Sequence, residues 1–271
     1  MKIAFLGGGN MASALIGGLL AKGYDAGAIS VVEIFAQGRD ALATRYKVHV
    51  SEAADARTFA ADTIVLAVKP QDLRKAVAPL AGKLSQQLVV SIAAGIRLED
   101  LSRWLGGYAK LVRVMPNTPA LIGAGIAGLY AGPAVTAEER ATAEAILKAV
   151  GKTVWVADEA LIDPVTAVSG SGPAYVFYFI EAMEKAGVDL GLEPETARSL
   201  AIETFVGAAR LAAESTESPG VLRQRVTSKG GTTEAALNVF GAEDIAGRIG
   251  KALKAASDRG AEMGRLLGKD T

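Results

Sequence analysis

The sequence predicts an α/β fold in which a doubly wound parallel sheet is followed by an all-α domain. Up to about residue 160, short and almost continuously apolar runs alternate with helical patterns, as is typical of strands buried on both faces of a parallel sheet. Beyond residue 160 the strand patterns stop and only helical patterns follow. We therefore predict an α/β domain over residues 1–160 and a helical domain over residues 161–271.

The predicted strands of the first domain are each four to six residues long: Lys2–Leu6, Ile29–Val32, Thr63–Val68, Leu88–Ala93, Lys110–Val114 and Thr153–Val156. Helices are predicted between them, among others over Met11–Lys22, with Gly23 as its stop, and over Thr136–Val150, with Gly151 as its stop. The second of these helices opens with Thr136 and Glu139 at the spacing of a capping box.

The second domain is predicted to be helical throughout, with helices over Ala174–Ala186, Glu195–Glu214, Gly220–Arg225, Thr233–Phe240 and Ala242–Leu267. The segment 174–180 is apolar nearly all round, so a helix there needs cover on several sides. About 110 helical residues supply little core of their own. We therefore expect a homodimer through the C-terminal helices, or a larger homo-oligomer; burial within one protomer is the alternative.

Composition excludes several kinds of chemistry. The 271 residues contain no Cys and a single His, His49, which excludes thiol nucleophiles, iron–sulfur clusters and metal sites built on two histidines. The 29 basic and 29 acidic side chains balance, so nothing general attracts nucleic acid or an anionic membrane. Since no apolar run approaches 18 residues, we expect no membrane span. We also expect no metal and no nucleic-acid partner, and we take the cytoplasm as the default location, with which the absence of Cys agrees.

A glycine-rich turn joins the first predicted strand to the first helix. Gly7, Gly9 and Ala12 fit the pattern G-x-G-x-x-A, in which the glycines allow a tight turn and a close approach of a pyrophosphate to the helix start. Glu33 ends the second strand, where a carboxylate can accept hydrogen bonds from a ribose 2′-hydroxyl and repels a 2′-phosphate. The first domain is therefore predicted to bind a dinucleotide, with NADH favoured over NADPH. Arg39 leaves NADPH open if Glu33 points away.

Further motifs run through the whole chain, in the order Ala67-Val-Lys-Pro-Gln71, Ser91-Ile-Ala-Ala-Gly95, Arg113-Val-Met-Pro-Asn-Thr-Pro119, Ser169-Gly-Ser-Gly-Pro-Ala-Tyr175 and Val226-Thr-Ser-Lys-Gly-Gly-Thr-Thr233. Taken together, these motifs closely resemble those of the pyrroline-5-carboxylate reductase family. The resemblance implies a Rossmann-type domain, a C-terminal dimerisation domain, and transfer of a hydride from NAD(P)H to the C=N bond of 1-pyrroline-5-carboxylate, giving proline.

The resemblance also implies site residues. Those for the cofactor are Leu6, Gly7, Gly8, Gly9, Asn10, Met11, Ala67, Val68, Lys69, Pro70, Ile92, Ala93 and Ala94. Glu33 joins them on account of its place at the end of the second strand. Those for the substrate are Ser228, Gly231, Thr232 and Thr233. Two positions depart from the family pattern: Glu33 stands where a small polar residue often faces a 2′-phosphate, which puts the family's NADPH in doubt, and Arg225 stands where Asn is frequent.

The loop before the predicted helix at Thr233 suits a small anion such as the substrate carboxylate. Glycines followed by threonines at a helix start offer backbone N–H groups, and Ser228 and Thr232 add hydroxyl donors. Thr233 is the candidate catalytic residue, its hydroxyl orienting the imine nitrogen and donating or relaying a proton. The alternative is that Thr232 and Thr233 are ordinary helix caps. Lys69 has two interpretations, a neighbour of the cofactor or a Lys held by a local carbonyl.

Two other functions are compatible with this architecture. A dehydrogenase of the β-hydroxyacid type has similar halves but uses a Lys one turn after a glycine motif, whereas the first Lys after Ser169–Gly172 is Lys185. A non-catalytic module that senses a nicotinamide nucleotide needs neither the Gly-Gly-Thr-Thr loop nor the converging strand ends.

Overall fold

The computed structural model describes residues 1–269, and these divide into two compact units. Residues 1–172 and the C-terminal segment from Lys254 form the first unit, and Pro173–Leu253 form the second. The first break between the compact units falls at residue 172, because residues 161–172 pack with the sheet; the domain boundary at residue 160 stays a prediction. The C-terminal part of the predicted helical domain also belongs to the first unit.

The first unit is built on a sheet of eight strands in the described chain: β1 (Ile3–Leu6), β2 (Ile29–Val32), β3 (His49–Ser51), β4 (Thr63–Leu66), β5 (Leu88–Ser91), β6 (Leu111–Met115), β7 (Gly125–Ala131) and β8 (Gly151–Trp155). Their order across the sheet is β3-β2-β1-β4-β5-β6-β7-β8. Neighbouring strands are parallel except β6 and β7, which are antiparallel. The predicted doubly wound α/β fold is confirmed.

The helices of residues 1–269 are α1 (Asn10–Ala21), α2 (Ala36–Tyr46), α3 (Ala56–Phe59), α4 (Pro70–Val77), α5 (Leu98–Trp104), α6 (Ala137–Leu147), α7 (Ile162–Val165), α8 (Gly172–Asp189), α9 (Pro194–Glu214), α10 (Pro219–Arg225), α11 (Thr232–Ala242) and α12 (Ile245–Leu267). The predicted capping box of α6 is present, with both hydrogen bonds between Thr136 and Glu139. Asp244 has a φ of +49°, and this left-handed residue separates α11 from α12. The last helix therefore begins at Ile245 and not at Ala242, where the sequence pattern predicts its start.

The core of the first unit lies on both faces of the sheet. On one face, α1 and α6 cover β1 and its neighbours with fully buried side chains that include Leu15, Ile16 and Ile146. On the other face, α4 and α5 contribute Leu73 and Leu101. Burial on both faces explains why the central strands consist almost wholly of apolar residues.

The strands β3 and β7 have no counterpart among the strands predicted from the sequence. Only three residues form β3, and β7 is rich in Gly and Ala, so neither shows a long β-branched run. Gly151 does not stop α6, as predicted, but begins β8. Its φ is +155°, and a Cβ there would collide with the carbonyl of Gly125, so the close approach of β7 and β8 requires glycine.

The second unit has little core of its own. Among residues 173–253, only Ala197 and Ala201 are fully buried, and α8 buries none of its residues. Large apolar side chains are instead exposed, including Phe177 at 66% and Tyr178 at 68%. A surface of this kind on a single protomer marks a protein–protein contact.

The end of α12 is attached to the first unit. Gly264 lies so close to the carbonyl oxygen of Gly95 that an added Cβ would sit 3.0 Å from it. Farther along, Arg103 of α5 donates a hydrogen bond to the carbonyl oxygen of Gly268 at 2.6 Å and pairs with Asp100 at 2.8 Å. These contacts explain why residues after 254 belong with the sheet.

A buried cation connects the sheet to the segment that follows it. Arg113 of β6 is 3% exposed and pairs with Glu159 at 3.0 Å and with Asp163 at 3.2 Å. Glu159 also accepts the N–H of Leu98 at 2.8 Å. The guanidinium therefore fixes the chain at the start of α7, with its Nε atom buried and unpaired within the described structure.

His49 has a local structural role. Its Nε2 lies 2.9 Å from Oδ2 of Asp55, which caps α3 by accepting the N–H groups of Arg57 and Thr58. Burial opposes the ionisation of Asp55, but hydrogen bonds from His49 and the Thr58 N–H outweigh it and hold the pKa of this carboxyl below its ordinary value near 3.8.

Replacing Arg113 with Met is expected to lower the free energy of unfolding by about 3 kcal/mol, because two partly buried carboxylates lose their cation. Arg259→Met is the matched control: Arg259 is 60% exposed and pairs with Glu262, so its loss should cost less than about 1 kcal/mol. Urea denaturation at one fixed protein concentration measures both values. Equal small losses would contradict the assigned role of Arg113.

Asp55→Ala is expected to destabilise the protein by about 1 kcal/mol at pH 7, as loss of a helix cap does. Since the pKa of Asp55 is lower in the folded state, the stabilisation is present above pH 3.8 and is lost as the pH falls through the folded value. Thermal unfolding between pH 3 and 7 should therefore show the gap from wild type closing at the acid end. Asp40→Ala, an exposed carboxylate in α2, should change little at any pH.

Candidate functional site

The carboxyl ends of four parallel strands meet at one edge of the sheet. The register places Leu6 of β1 beside Val32 of β2 and Leu66 of β4, and Leu66 beside Ser91 of β5. The strand order reverses between β1 and β4, since β2 and β3 lie on one side and β5 and β6 on the other. Doubly wound sheets bind ligands in the crevice at this kind of switch point.

The turn after β1 brings backbone against backbone. Gly7 has a φ of +98° and donates its N–H to the carbonyl of Val32 at 2.8 Å. A Cβ on Gly7 would lie 2.6 Å from the carbonyl oxygen of Ala67 and 2.7 Å from Val68. Both the conformation and the close approach therefore require glycine here.

The start of α1 is open and suited to an anion. Gly9 precedes the helix, and a Cβ added to it would meet no atom within 4 Å. The first turn of α1 has no acidic residue and no side-chain cap, and the first N–H groups of a helix have no partner inside it. The residues present thus fit a pyrophosphate, which would lie on the N–H groups and the positive end of the helix.

The other residues predicted for the cofactor lie at the same edge of the sheet. Ala67 donates its N–H to the carbonyl of Leu6 at 2.8 Å, and Ile92 donates to Leu66 at 3.1 Å. Lys69 is exposed and precedes α4, whose first residue is Pro70. The structure brings together the segments Leu6–Met11, Ala67–Pro70 and Ile92–Ala94 with Glu33.

Glu33 contacts the glycine-rich turn directly. Its Oε2 accepts the N–H of Gly8 at 2.9 Å, and its Oε1 accepts the N–H of Phe35, also at 2.9 Å. Arg39 donates through Nη1 to the carbonyl oxygens of Glu33 and Ile34, at 2.8 and 2.9 Å. The carboxylate therefore points toward the turn that the sequence predicts to bind the pyrophosphate.

The residues predicted for the substrate lie in the second unit. Ser228 accepts the N–H of Gly231 through its carbonyl at 3.0 Å, and Gly231 is the N-cap of α11, with no side chain capping the helix. Thr232 and Thr233 form the first turn, and in the described residues their hydroxyls and that of Ser228 make no hydrogen bond. Three hydroxyls and the first-turn N–H groups are thus available to a ligand.

Two polar residues near these sites make hydrogen bonds that the sequence does not predict. Glu234 accepts the N–H of Gly230 at 2.7 Å and so holds the loop in place; its position three residues after the N-cap was the available signal. Asn117 is buried and accepts the N–H of Ile126 at 2.9 Å, which ties the end of β6 to β7. Because β7 was not predicted, the partner of Asn117 was not predictable either.

Neither a metal site nor a membrane span is found in residues 1–269. No three His, Asp or Glu side chains of this part of the chain are grouped to hold a metal ion. Its helices are too short or too polar to traverse a bilayer.

Family models match both units of the chain. One described as pyrroline-5-carboxylate reductase dimerisation matches residues 159–263, and one described as NADP oxidoreductase coenzyme F420-dependent matches residues 2–95. The first match begins beside the predicted boundary at residue 160.

Similarity to individual proteins extends over the whole chain. A pyrroline-5-carboxylate reductase of Pseudomonas aeruginosa is 47% identical over 269 residues, covering 99% of this chain and 98% of that protein. The structure of a pyrroline-5-carboxylate reductase from Coxiella burnetii has a TM-score of 0.92 at 41% identity, covering 97% and 98% of the two chains. A Plasmodium falciparum pyrroline carboxylate reductase with NADP bound has a TM-score of 0.86 at 28% identity, with the same coverage.

The agreement in fold and in sequence over nearly the full length leads to one conclusion. This chain belongs to the pyrroline-5-carboxylate reductase family of nicotinamide-dependent oxidoreductases.

Proposed function

We propose that this chain reduces the C=N bond of 1-pyrroline-5-carboxylate to give L-proline, the last step of proline biosynthesis, with NADPH or NADH as the hydride donor. The observation that carries the proposal is the uncapped start of α11, with its free hydroxyls, in a chain whose first unit has a second uncapped helix start at the switch point of a doubly wound sheet. Full-length similarity to enzymes named for this substrate supports it.

The first unit would hold the cofactor. The segment Leu6–Met11 would bind the pyrophosphate, and Ala67–Pro70 with Ile92–Ala94 would line the crevice at the sheet edge. When bound, the reduced nicotinamide supplies the hydride, and the protein supplies position and electrostatics. Lys69 is exposed at this edge, and its role as a neighbour of the cofactor stays a prediction.

The start of α11 would bind the substrate carboxylate. The N–H groups of Gly230 and Gly231 already have internal acceptors, so the backbone donors left in the first turn are the N–H groups of Thr232, Thr233 and Glu234. The hydroxyls of Ser228 and Thr232 add to them. Hydrogen bonds to a charged group contribute roughly 1.5–3 kcal/mol each, against about 0.3–1 kcal/mol from the helix end itself. Gly231 would act by shape, since its Cβ would crowd the Ser228 carbonyl at 3.1 Å.

Thr233 would serve the imine nitrogen. The reaction adds a hydride to the imine carbon and one proton to the nitrogen, so the C=N bond becomes a C–N bond and the product is a secondary amine. A hydroxyl with no internal hydrogen bond can orient the nitrogen and donate or relay that proton. The reaction requires neither a nucleophile nor a metal, which agrees with a chain that lacks Cys and has one His engaged by Asp55.

The two alternative functions are less well supported. A β-hydroxyacid dehydrogenase would need a free Lys one turn after the glycine motif. Lys185 instead lies in the last turns of α8, where its side chain is exposed and pairs with Asp189 at 2.8 Å. A sensing module without chemistry would have no use for uncapped threonines at the start of α11.

The homo-oligomer would be a homodimer formed through the helices of the second unit. The support is the pair of fully buried alanines in residues 173–253, set against exposed side chains such as Phe177, Leu190 and Leu200. A cytoplasmic location and the absence of nucleic-acid partners stay predictions from the composition.

Steady-state oxidation of NADH and NADPH in the presence of 1-pyrroline-5-carboxylate tests the proposed reaction, with Thr233→Ala as the informative variant. We expect kcat to fall about ten- to a hundredfold, the range of a modest general acid, and Thr233→Ser to restore most of it because the hydroxyl is kept. Wild type without turnover would refute the function. If kcat of Thr233→Ala equals that of wild type, Thr233 has no part in the proton transfer and water supplies the proton.

Phe177→Asp is expected to dissociate the oligomer, because it places a charge on the exposed apolar face of α8. Light scattering after size-exclusion chromatography at low micromolar concentration measures the mass. Val154→Asp is the matched control, since Val154 is an exposed apolar residue of β8 in the first unit and should leave the mass unchanged. A wild-type monomer, or the same mass in Phe177→Asp, would contradict the interface.

A further inference from the structure

We infer that Glu33 is a specificity-determining residue that makes this chain select NADH over NADPH, by placing a fixed negative charge where the 2′-phosphate of NADPH would bind. The inference rests on the proposed function only in assuming a nicotinamide cofactor. It separates this chain from the NADP named for one matching family model and for the Plasmodium relative.

The Glu33 carboxylate occupies two backbone donors at the edge of the site. Oε2 accepts the N–H of Gly8, in the glycine-rich turn, and Oε1 accepts the N–H of Phe35, the N-cap of α2. Both donors lie at or beside helix starts, where the backbone favours a negative charge. The carboxylate of Glu33 therefore already accepts hydrogen bonds from the N–H groups that a bound phosphate would otherwise use.

The side chain is held in this position. Gly38, in the first turn of α2, leaves the space that Glu33 needs, since a Cβ there would lie 2.9 Å from Cγ of Glu33. Glu33 is half-buried, and each carboxylate oxygen still has a lone pair left after its backbone hydrogen bond. Those lone pairs can accept hydrogen bonds from a ribose 2′-hydroxyl, the substituent that NADH carries in place of the phosphate.

The nearby cation is already engaged. Arg39 gives Nη1 to the carbonyl oxygens of Glu33 and Ile34, and its Nη2 lies 3.5 Å from Glu52. Its side chain is only 21% exposed. The guanidinium thus stabilises the turn after β2, and it would have to give up these contacts to reach a phosphate. Arg39 would favour NADPH only if Glu33 pointed away from the glycine-rich turn. Glu33 points toward that turn, so this condition is not met.

The physical consequence is a charge repulsion confined to one cofactor. A 2′-phosphate carries a charge of about −1.5 to −2 at pH 7, and placing it beside a second negative charge in a binding site weakens binding. NADH has only a hydroxyl at this position and gains hydrogen bonds instead. The same carboxylate therefore favours one nucleotide and disfavours the other.

Direct binding of NADH and NADPH to the wild-type protein, by isothermal titration calorimetry without 1-pyrroline-5-carboxylate, tests the inference. We expect the Kd for NADPH to be at least about tenfold higher than that for NADH. In Glu33→Gln, which keeps the size and removes the charge, the Kd for NADPH should fall about tenfold or more, while that for NADH should rise severalfold because the amide has one acceptor oxygen in place of two.

Glu52→Gln is the matched control. Glu52 is a neighbouring carboxylate, but it is 75% exposed and does not contact the turn, so its replacement should shift the Kd ratio by less than about threefold. Wild type that binds NADPH as tightly as NADH would overturn the inference, and so would an unchanged ratio in Glu33→Gln with an unaltered melting temperature. The wild-type measurement stands even if a variant misfolds.

Binding and turnover fail independently. Loss of the NADH preference with intact reduction of 1-pyrroline-5-carboxylate would refute the role of Glu33 and leave the proposed function in place. A clear NADH preference without reduction would refute the proposed function and leave the role of Glu33 in place.

Discussion

The close approach of two backbone segments at the end of β1 is the constraint on which the cofactor site depends. Gly7 lies so near the carbonyl of Ala67 that no side chain fits between them. This contact lets the chain turn from the strand directly into α1, with the helix start directed at the crevice. The open space at Gly9 and the uncapped first turn follow from that placement. A methyl group at position 7 would push apart β1 and the segment after β4, and with them both walls of the crevice.

Electrostatics at this edge is local rather than global. The chain has no net charge, so no long-range field draws an anionic nucleotide or substrate to it. Under the proposed function, the attraction would come from oriented N–H groups at the starts of α1 and α11, which act within a few ångströms. The same short range explains how one carboxylate, Glu33, can discriminate between cofactors that differ only at the 2′ position.

The two units illustrate two ways of obtaining a core. The first surrounds its sheet with helices and buries its central strands completely, whereas the second leaves α8 without a single buried residue. A helical unit of this size becomes stable when its exposed apolar faces are covered by other protein. The sparse core of the second unit therefore agrees with a homo-oligomer, in which a partner would cover these faces.

Much of the fold could be predicted from the sequence because its signals are local. Apolar runs marked the central strands, and Gly7, Gly9 and Ala12 marked the turn with its helix. Thr136 and Glu139 marked a capping box that the structure contains. The strands β3 and β7 escaped prediction because short or glycine-rich strands acquire their structure from neighbouring strands rather than from their own residues. The function could be predicted because several motifs, spread over the whole chain, resemble one family together. No single motif would have been sufficient.

The sequence by itself determined which residues end at the carboxyl edge of the sheet, since strand periodicity and the glycine pattern are properties of neighbouring residues. Only the tertiary structure decided how those residues are used. In the folded chain Arg39 donates hydrogen bonds to backbone carbonyls, and Glu33 accepts the N–H of Gly8. The N–H groups of Gly230 and Gly231 have acceptors within their own loop and helix start, and the end of α12 belongs to the first unit. Each of these contacts joins groups whose geometry is set by packing, and a hydrogen bond depends on angstrom-scale distance and direction that sequence spacing does not specify.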